Sequence, residues 1–400
     1  ARTSKGTAAV KLSRRLDAIA PFQVMAILEK ARALQAAGHD VIHLEIGEPD
    51  FATPQAIVDA GRAALAAGHT FYTAAQGLPQ LREAIAGHYA RQFGVTVAPQ
   101  RIIVTPGASG ALQIALSLLV DEGDGVLMAD PTYPCNRHFV SLLGGQPQAV
   151  AVDAASRFQL LAADADAHWQ ANTVAAMVAT PANPTGTMLT ADEVAALAAV
   201  CRARGGALIV DEIYQGLCYG QAPFSALALA DDAFVINSFS KYFQMTGWRL
   251  GWLVAPENAV PELEKLAQNL YISAPSMAQY AALACFTPES LAIFEERRHE
   301  FQRRRDYLLP ALRELGFRIA VEPEGAFYLY ADISAFGGDA FAFCRHFIET
   351  EHVAFTPGLD FGRHLAGHHV RFAYTQSVER LQQAVERIAR GLKTWNPDAL

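Results

Sequence analysis

The sequence predicts an α/β protein with a large domain, built on a mostly parallel β-sheet flanked by helices, and a smaller α+β domain. From about residue 100, short apolar runs alternate with longer amphipathic ones, as in a sheet covered by helices on both faces. After about residue 290 the pattern changes to a charged helix followed by an alternating strand. The 400 residues also exceed what one core usually holds. We therefore assign residues 48–285 to the large domain, and residues 1–47 and 286–400 to the small one.

The strands of the large domain are predicted from its apolar runs. They are placed at residues 101–105, 125–128, 174–179, 207–210, 234–237 and 250–254. The first leads through Pro106 and Gly107 into an apolar helix from Ala111 to Val120. Between the third and fourth runs, Thr190 and Glu193 have the spacing of a capping box, in which both side chains bind free amides at a helix start. Strand, helix and strand therefore follow one another in this part of the chain.

The predicted small domain begins with the charged helix. Phe294, Phe301 and Leu308 recur every seven residues, and most residues between them are charged. This pattern indicates an amphipathic helix whose arginines lie in solvent: Arg297, Arg298, Arg303, Arg304 and Arg305. Residues 325–330 alternate as a strand does. Residues 11–40 form a further amphipathic helical stretch, which the pattern alone assigns to neither domain.

Composition argues against several classes of function. A formal net charge of −8, with basic residues scattered among acidic ones, argues against a nucleic-acid partner. The five cysteines are widely spread without a C-x-x-C pair, which fits a reducing cytoplasm. No window has the length and apolar character of a membrane span, and no apolar stretch follows the first basic residues. We expect a soluble cytoplasmic protein that acts on small molecules.

Polar residues follow the predicted strands at the points where these end. Asp211 and Asn183 each follow an apolar run, and Lys241 lies shortly after another. Residues 107–109 (GAS) open the helix after the first strand, and free amides at such a helix start can bind phosphate. Ligands of an open α/β sheet bind beyond the carboxyl ends of its strands. The sequence therefore predicts one site at this edge of the sheet.

The segment around Lys241 has the composition of a site for a nucleophilic amine. In residues 238–251 (SFSKYFQMTGWRLG) the lysine lies among small hydroxyl residues, and Arg249 follows eight residues later. Desolvation favours the neutral, nucleophilic amine, and hydroxyl and guanidinium groups bind phosphate. A lone lysine is more often a surface residue. The inference therefore depends on its combination with Asp211 and the predicted helix start.

These segments together resemble the class I aminotransferases of PLP (pyridoxal 5′-phosphate) fold type I. The resemblance extends over nearly the whole chain. It includes IGEPDF at 46–51, YT at 72–73 with GL at 77–78, TPGASG at 105–110, DPTYP at 130–134, NPTG at 183–186, DEIY at 211–214, SFSK at 238–241, PG at 357–358 and VRF at 370–372. Each short motif alone is weak, but their occurrence in the order found in the family makes the resemblance specific.

The resemblance implies a site for PLP. Lys241 then forms the Schiff base with the cofactor and moves the proton at the substrate Cα, while Asp211 holds the pyridine nitrogen protonated. With Tyr214, these are the implied catalytic residues. The implied cofactor-binding residues are Asn183 and Tyr214 for the phenolic oxygen, Tyr133 for the ring face, and Gly107, Ala108, Ser109, Ser238, Ser240 and Arg249 for the phosphate, with Tyr72 reaching it from a second subunit.

The resemblance also implies the reaction, in which an amino group passes from an L-amino acid to a 2-oxo acid in a homodimer with shared active sites. Arg371 is implied to bind the substrate α-carboxylate through two parallel hydrogen bonds, with Gly47 and Asn183 beside it. Some aspartate-preferring relatives place a lysine at the position of Ser109. Because this chain has serine there and an apolar segment at 19–22, we expect a neutral or apolar amino donor.

Several alternatives remain open at this point. An eliminating enzyme such as a PLP-dependent C–S β-lyase could use the same scaffold. A non-catalytic PLP-binding regulator could too, although we expect no DNA-binding domain ahead of this fold. Arg137 could face a distal anion of the substrate or be a surface arginine. His364 and His368 lie four residues apart without the acid of an H-E-x-x-H motif, so no metal is expected.

Overall fold

The computed structural model describes residues 9–398. Residues 1–8 and 399–400, which the small-domain prediction includes, lie outside the described residues. The strands are β1 Ile42–His43, β2 Ile102–Thr105, β3 Gly125–Asp130, β4 Gln146–Ala151, β5 Thr173–Ala179, β6 Ala207–Asp211, β7 Phe234–Ser238, β8 Gly251–Val254, β9 Tyr328–Asp332, β10 Val353–Ala354, β11 Thr356–Pro357 and β12 His369–Ala373. The α-helices are α1 Gln23–Ala36, α2 Gln55–Ala66, α3 Pro79–Phe93, α4 Gly107–Leu119, α5 Cys135–Leu142, α6 Ala162–His168, α7 Ala191–Ala203, α8 Val260–Leu270, α9 Ser276–Ala282, α10 Pro288–Glu314, α11 Ala340–Thr350 and α12 Val378–Thr394. Within residues 9–398, no helix is both long and apolar enough to span a membrane.

The central sheet has seven strands in the order β2-β8-β7-β6-β5-β3-β4. Strand β8 runs antiparallel to β2 and β7, and the other neighbouring strands are parallel. The predicted mostly parallel sheet is therefore confirmed, and its predicted strands are present with small shifts at their ends. The sequence does not predict β4, an edge strand in which only Val150 is buried, because so little of it is apolar and enclosed.

Both faces of the central sheet are buried. Along β2, Ile102 and Val104 belong to one apolar cluster and Ile103 to another, since successive side chains point to opposite faces. Helix α4 packs against β2, β7 and β8 on one face, and α7 packs against β6 on the other. The predicted capping box of Thr190 and Glu193 begins α7. This double cover explains why the strands read as continuous apolar runs.

A second sheet is antiparallel, with the order β11-β12-β9. Near it, β1 pairs in parallel with β10, so that the chain before the central sheet joins the region after α11. The strand predicted at 325–330 begins only at Tyr328, because Ala326 has a φ of +58°, which a strand does not allow; Gly325 before it forms only an isolated bridge with Cys218. The predicted helical stretch at 11–40 contains a short 3-10 turn, Arg14–Ala18, followed by α1.

The charged helix predicted near residue 290 is α10, and its apolar residues at the seven-residue spacing are fully buried. The prediction that its arginines lie in solvent is wrong for Arg304 and Arg305, which are buried. Arg304 Nη1 donates to Asp50 Oδ1 at 2.7 Å, and Arg305 Nη1 donates to the backbone oxygen of Pro323 at 2.8 Å. The local pattern does not identify these partners, since Asp50 lies 254 residues away in the chain.

Candidate active site

A cavity of 570 Å³ lies where the carboxyl ends of β5, β6 and β7 meet the three-stranded sheet. Every predicted site residue lines it except Gly107 and Tyr72. Gly107 is the first residue of α4, next to the lining residue Ala108. Tyr72 is 77% exposed and does not line this cavity. The fold therefore brings most of the residues singled out in the sequence into one place.

Lys241 lies three residues beyond the end of β7 and keeps some exposed surface, which faces the cavity. Its Nζ donates to the backbone oxygen of Gly47 at 2.5 Å. Desolvation lowers the pKa of the lysine to about 8, although the nearby carboxylate of Glu48 raises it. Roughly a tenth of this amine is therefore neutral at pH 7, far more than for an ordinary lysine, and the neutral form is the one that acts as a nucleophile or a base.

Asp211 is the last residue of β6 and is buried. Its Oδ1 accepts a hydrogen bond from the backbone amide of Ile213 at 3.0 Å. Burial raises the pKa of Asp211 to about 6, while that hydrogen bond and the charge of Lys241 lower it. A carboxylate with so little solvent around it stabilises a cation placed next to it more strongly than a surface carboxylate would.

The start of α4 and Arg249 form a positively polarised surface at one end of the cavity. Among the described residues, no side chain caps α4, so the first amides of the helix are available to a ligand. Gly107 has a φ of +71°, and a Cβ there would lie 2.5 Å from Arg249 Nη2. Glycine at this position therefore lets the guanidinium approach the helix start, which is a favourable place for a phosphate.

Two serines lie next to this surface, Ser238 at the end of β7 and Ser240 in the loop that follows. Ser238 Oγ accepts from the amide of Ser240 at 3.0 Å and donates to the backbone oxygen of Leu250 at 3.2 Å. Both serines are buried and line the cavity. These hydrogen bonds fix the loop that carries Lys241.

Two tyrosines of the central-sheet region line the cavity. Tyr214 OH is 2.8 Å from Tyr328 OH, and burial raises the pKa of Tyr214 well above its ordinary value. Burial also raises the pKa of Tyr133. Both phenols are therefore protonated at neutral pH and can donate a hydrogen bond.

Arg371 lies on β12 and reaches the cavity from the three-stranded sheet. Its Nη1 donates to Asn183 Oδ1 at 2.8 Å, and its Nη2 donates to the backbone oxygen of Glu45 at 2.9 Å. The guanidinium also lies over the rings of Tyr328 and Phe361, at 4.3 and 4.8 Å from their centroids. Because both hydrogen-bond partners are uncharged, the arginine is held in place while its charge remains available to a carboxylate ligand.

The sequence pattern missed part of the lining. Tyr328, Thr356 and Phe361 come from the three-stranded sheet and the turn after it, and Glu45 follows β1. Of these, only Tyr328 had a local signal, since it lies in the alternating segment 325–330. A further wall comes from the start of α1 and the residue before it, and is largely apolar: Phe22, Val24, Met25 and Leu28.

Asp360 joins the apolar wall of α1 to the region of Arg371. Its carboxylate oxygens accept from the backbone amides of Gln23 at 2.5 Å and Val24 at 2.8 Å, the first two amides of the helix. Burial raises the pKa of this carboxyl group, and the two amides and the charge of Arg371 lower it. Asp360 therefore caps α1 from a distant part of the chain and holds that wall against the cavity.

Two further candidates from the sequence, Arg137 and His364, do not line the cavity. Arg137 donates through Nη2 to the backbone oxygen of Asp360 at 3.3 Å. The backbone amide of His364 donates to Asp130 Oδ2 at 3.2 Å. Residues 9–398 contain no group of three or more His, Cys, Asp or Glu residues that could hold a metal ion.

The residues of the cavity fit PLP. The buried Asp211 suits a protonated pyridine nitrogen, and the amine of Lys241 has the lowered pKa that attack on an aldehyde requires. The uncapped start of α4 with Arg249 suits the phosphate. Each part of the cofactor therefore has a group of matching charge in the same cavity.

Comparison with known proteins agrees with this arrangement. A family profile described as "Aminotransferase class I and II" matches residues 39–388. The chain belongs to this family. It is 38% identical over 384 residues to the valine–pyruvate aminotransferase of Mycobacterium tuberculosis, which covers 95% of this chain and 97% of that protein. It is 37% identical over 393 residues to an aspartate aminotransferase of Geobacillus stearothermophilus, covering 95% and 98%. The structure of the Thermus thermophilus aspartate aminotransferase with maleate superposes with a TM-score of 0.90 at 35% identity, covering 96% of this chain and all of that one.

The protein is therefore an aminotransferase, and enzymes of this family use PLP. The predicted family, fold, enzyme class and cofactor are confirmed. The names of the first two relatives specify different donors, valine and aspartate.

Proposed function

We propose that this aminotransferase moves the amino group of a neutral or apolar L-amino acid to a 2-oxo acid. The observation that carries the proposal is the largely apolar side of the cavity, which contains Phe22, Met25, Leu28, Leu112 and Phe361. A side chain buried there gains about 25 cal/mol for each Å² of apolar surface removed from water. A second carboxylate would instead lose its hydration without a charge partner on that side.

The cations of the lining have other proposed partners. Lys241 and Arg249 serve the cofactor, and Arg371 serves the α-carboxylate that all amino acids share. At the helix start, where some aspartate-preferring relatives carry a lysine, this chain has Ser109. The carboxylate of Asp360 also lines the cavity and would repel a second anion. Charge and shape therefore favour the same class of donor.

The proposed cofactor-binding roles are those that the family resemblance implies, and the same geometry supports them. Lys241 attaches the cofactor covalently, Asp211 keeps its ring nitrogen protonated, and Tyr133 packs against its ring. The phosphate is held by the start of α4 and the nearby polar side chains: Gly107, Ala108, Ser109, Ser238, Ser240 and Arg249. Bound PLP supplies an electron sink for the pair of electrons left when the substrate Cα loses its proton.

Lys241 is the proposed base and acid of the proton transfer. Its Nζ removes the proton from the substrate Cα, which requires the neutral amine. Desolvation lowers the pKa of Lys241 to about 8, so that this form is accessible at neutral pH. The carbonyl oxygen of Gly47, 2.5 Å away, orients the amine.

Arg371 is the proposed ligand of the substrate α-carboxylate, through two parallel hydrogen bonds. Asn183 has two functions in this scheme, because its Oδ1 accepts from Arg371 and its Nδ2 is left to donate to the phenolic oxygen of the cofactor. Tyr214 donates to the same oxygen. Gly47, which has no side chain, leaves room for the carboxylate beside Arg371.

We further propose that the enzyme works as a homodimer with Tyr72 reaching the phosphate of the second subunit. Phe71 and Tyr72 are 83% and 77% exposed, and two adjacent large aromatic side chains are seldom left in water without a partner. Ser276 Oγ donates to the backbone oxygen of Phe71 at 2.5 Å and fixes the segment. The exposed pair is therefore presented in a defined position.

A panel of amino donors tests the proposed substrate class. The rate of the first half-reaction, followed by cofactor absorbance, is expected to give kcat/KM values for L-valine, L-leucine or L-phenylalanine at least roughly tenfold above that for L-aspartate. Ser109→Lys is expected to narrow this ratio, whereas Ser109→Gln, of similar length without the charge, is not. A preference for L-aspartate in the unmodified enzyme would contradict the assignment.

A further inference from the structure

Tyr328 connects the two sheets at the cavity. It lies on β9 of the three-stranded sheet, is 1% exposed, and its hydroxyl is 2.8 Å from that of Tyr214, which follows β6 of the central sheet. The position that a Cβ on Gly47 would take lies 2.7 Å from Tyr328 OH. The ring of Tyr328 also lies under the guanidinium of Arg371 at 4.3 Å. Because Gly47 has no side chain, the hydroxyl of Tyr328 has room to lie within hydrogen-bond distance of Tyr214.

The number of hydrogens fixes the direction of this hydrogen bond when the cofactor is bound. Each phenol carries one hydrogen, and burial raises the pKa of both, so both remain protonated. In the proposed function, Tyr214 donates its hydrogen to the phenolic oxygen of the cofactor. The oxygen of Tyr214 can then only accept from Tyr328. Tyr328 must be the donor of the pair.

We infer that Tyr328 is a positioning residue for Tyr214, whose hydroxyl it aligns and polarises as a donor to the phenolic oxygen of the cofactor. This inference rests on the proposed role of Tyr214. A hydroxyl that accepts a hydrogen bond becomes a stronger donor, because consecutive hydrogen bonds polarise one another. Tyr328 therefore helps to hold the negative charge of that oxygen through Tyr214.

Loss of either hydroxyl is expected to raise the pH at which the absorbance of the bound cofactor changes. A stronger donor stabilises the deprotonated phenolic oxygen and lowers the pH at which the absorbance of the bound cofactor changes. Tyr214→Phe is expected to raise that pH by about 1.5 units, as loss of a hydrogen bond to a charged acceptor does. Tyr328→Phe is expected to raise that pH by about 0.4 units, because cooperativity contributes only a fraction of the strength of the hydrogen bond from Tyr214 to the cofactor.

The experiment titrates the absorbance of the PLP-loaded enzyme against pH in Y328F, Y214F and the double variant. Tyr330 provides a matched control on the same strand, since it is also buried and its hydroxyl has no hydrogen-bond partner among the described residues. Y330F removes the same atom without removing a bond and is expected to leave the titration unchanged. If Y328F does not fold, Tyr328→Met, a smaller and more flexible side chain that also lacks the hydroxyl, has the same expected shift.

The double variant separates an action through Tyr214 from a general disturbance. If Tyr328 acts through Tyr214, Y328F adds no further shift in the Y214F background. An additive shift, no shift in Y328F, or a shift to lower pH would each overturn the inference while the role of Tyr214 stands. An unchanged titration in Y214F would overturn that role, and the inference with it.

Discussion

Replacement of Arg371 with lysine is expected to lower kcat/KM for the amino donor by about 200- to 900-fold. The guanidinium is buried and holds Asn183 Oδ1 and the backbone oxygen of Glu45 at 2.8 and 2.9 Å. Lysine loses one of two parallel hydrogen bonds to the carboxylate, about 1.5–3 kcal/mol, and leaves a buried acceptor unpaired, about 1–3 kcal/mol. The two contributions add to about 2.5–6 kcal/mol, and the lower part of that range applies because lysine keeps the positive charge. A loss of about 3–4 kcal/mol converts to roughly that fold-change at about 1.36 kcal/mol per tenfold change.

The assay follows the first half-reaction by cofactor absorbance over a range of donor concentrations. The PLP content of R371K should equal that of the unmodified enzyme, because the arginine is not part of the phosphate surface. Arg137→Lys is the matched control, since Arg137 is near the cavity without lining it, and it should change kcat/KM by less than about twofold. If R371K kept kcat/KM within about threefold of the unmodified enzyme, the assignment of Arg371 to the carboxylate would be refuted.

Two further substitutions test the site through stability and substrate binding. Burial lowers the pKa of Lys241 to about 8, so between pH 8 and about 10.5 the unfolded chain binds more protons and stability rises with pH. Lys241→Met should therefore stabilise the cofactor-free enzyme by about 3 kcal/mol at pH 7 in denaturant titrations, and this gain in stability should disappear near pH 11. The control Lys265→Met, at an exposed lysine, should show no such pH-dependent gain. Asp360→Ala leaves two amides of α1 without their acceptor, and it should raise KM for the donor about three- to tenfold with a smaller change in kcat. Asp360→Asn should give an intermediate KM. If the KM of Asp360→Ala equalled that of the unmodified enzyme, the role of this cap would be contradicted.

The half of the site that belongs to the central sheet could be predicted because its residues have fixed places in local motifs. Asp211 ends an apolar run, and Lys241 follows the next strand by three residues. Parallel strands that are buried on both faces give continuous apolar runs, so their ends are visible in the sequence. Since β5, β6 and β7 are neighbours in the sheet, the polar residues at these ends necessarily converge.

The other half could not be predicted, since it depends on contacts between distant segments. Asp360 and Gln23 are 337 residues apart, and nothing local to either indicates the other. The alternation at 325–330 indicates a strand but not which face meets the cavity. That face is decided by the pairing of β9 with β12, which places Tyr330 opposite Arg371 and Tyr328 two pairs further along, opposite Ala373. Arg304 shows the same difficulty. A run of charged residues indicates a solvated surface, and the sequence around Arg304 does not indicate its partner, Asp50.

The groups that make the site reactive also lower the stability of the cofactor-free chain. Burial displaces the pKa of Lys241 downward to about 8 and that of Asp211 upward to about 6, so keeping each group charged at pH 7 costs the folded chain free energy. For Asp211, stability falls as pH rises from 3.8 to about 6, the opposite sign to that of Lys241. A ligand with a cationic ring nitrogen and a phosphate supplies the missing partner to Asp211 and to the start of α4. A ligand that binds only the folded state stabilises that state, by about 4 kcal/mol when its concentration is a thousand times Kd. PLP should therefore raise the free energy of unfolding of this chain, through the same residues that carry the chemistry. Substitutions that abolish activity at Lys241 are then expected to stabilise the cofactor-free form and to remove much of the further gain on addition of PLP.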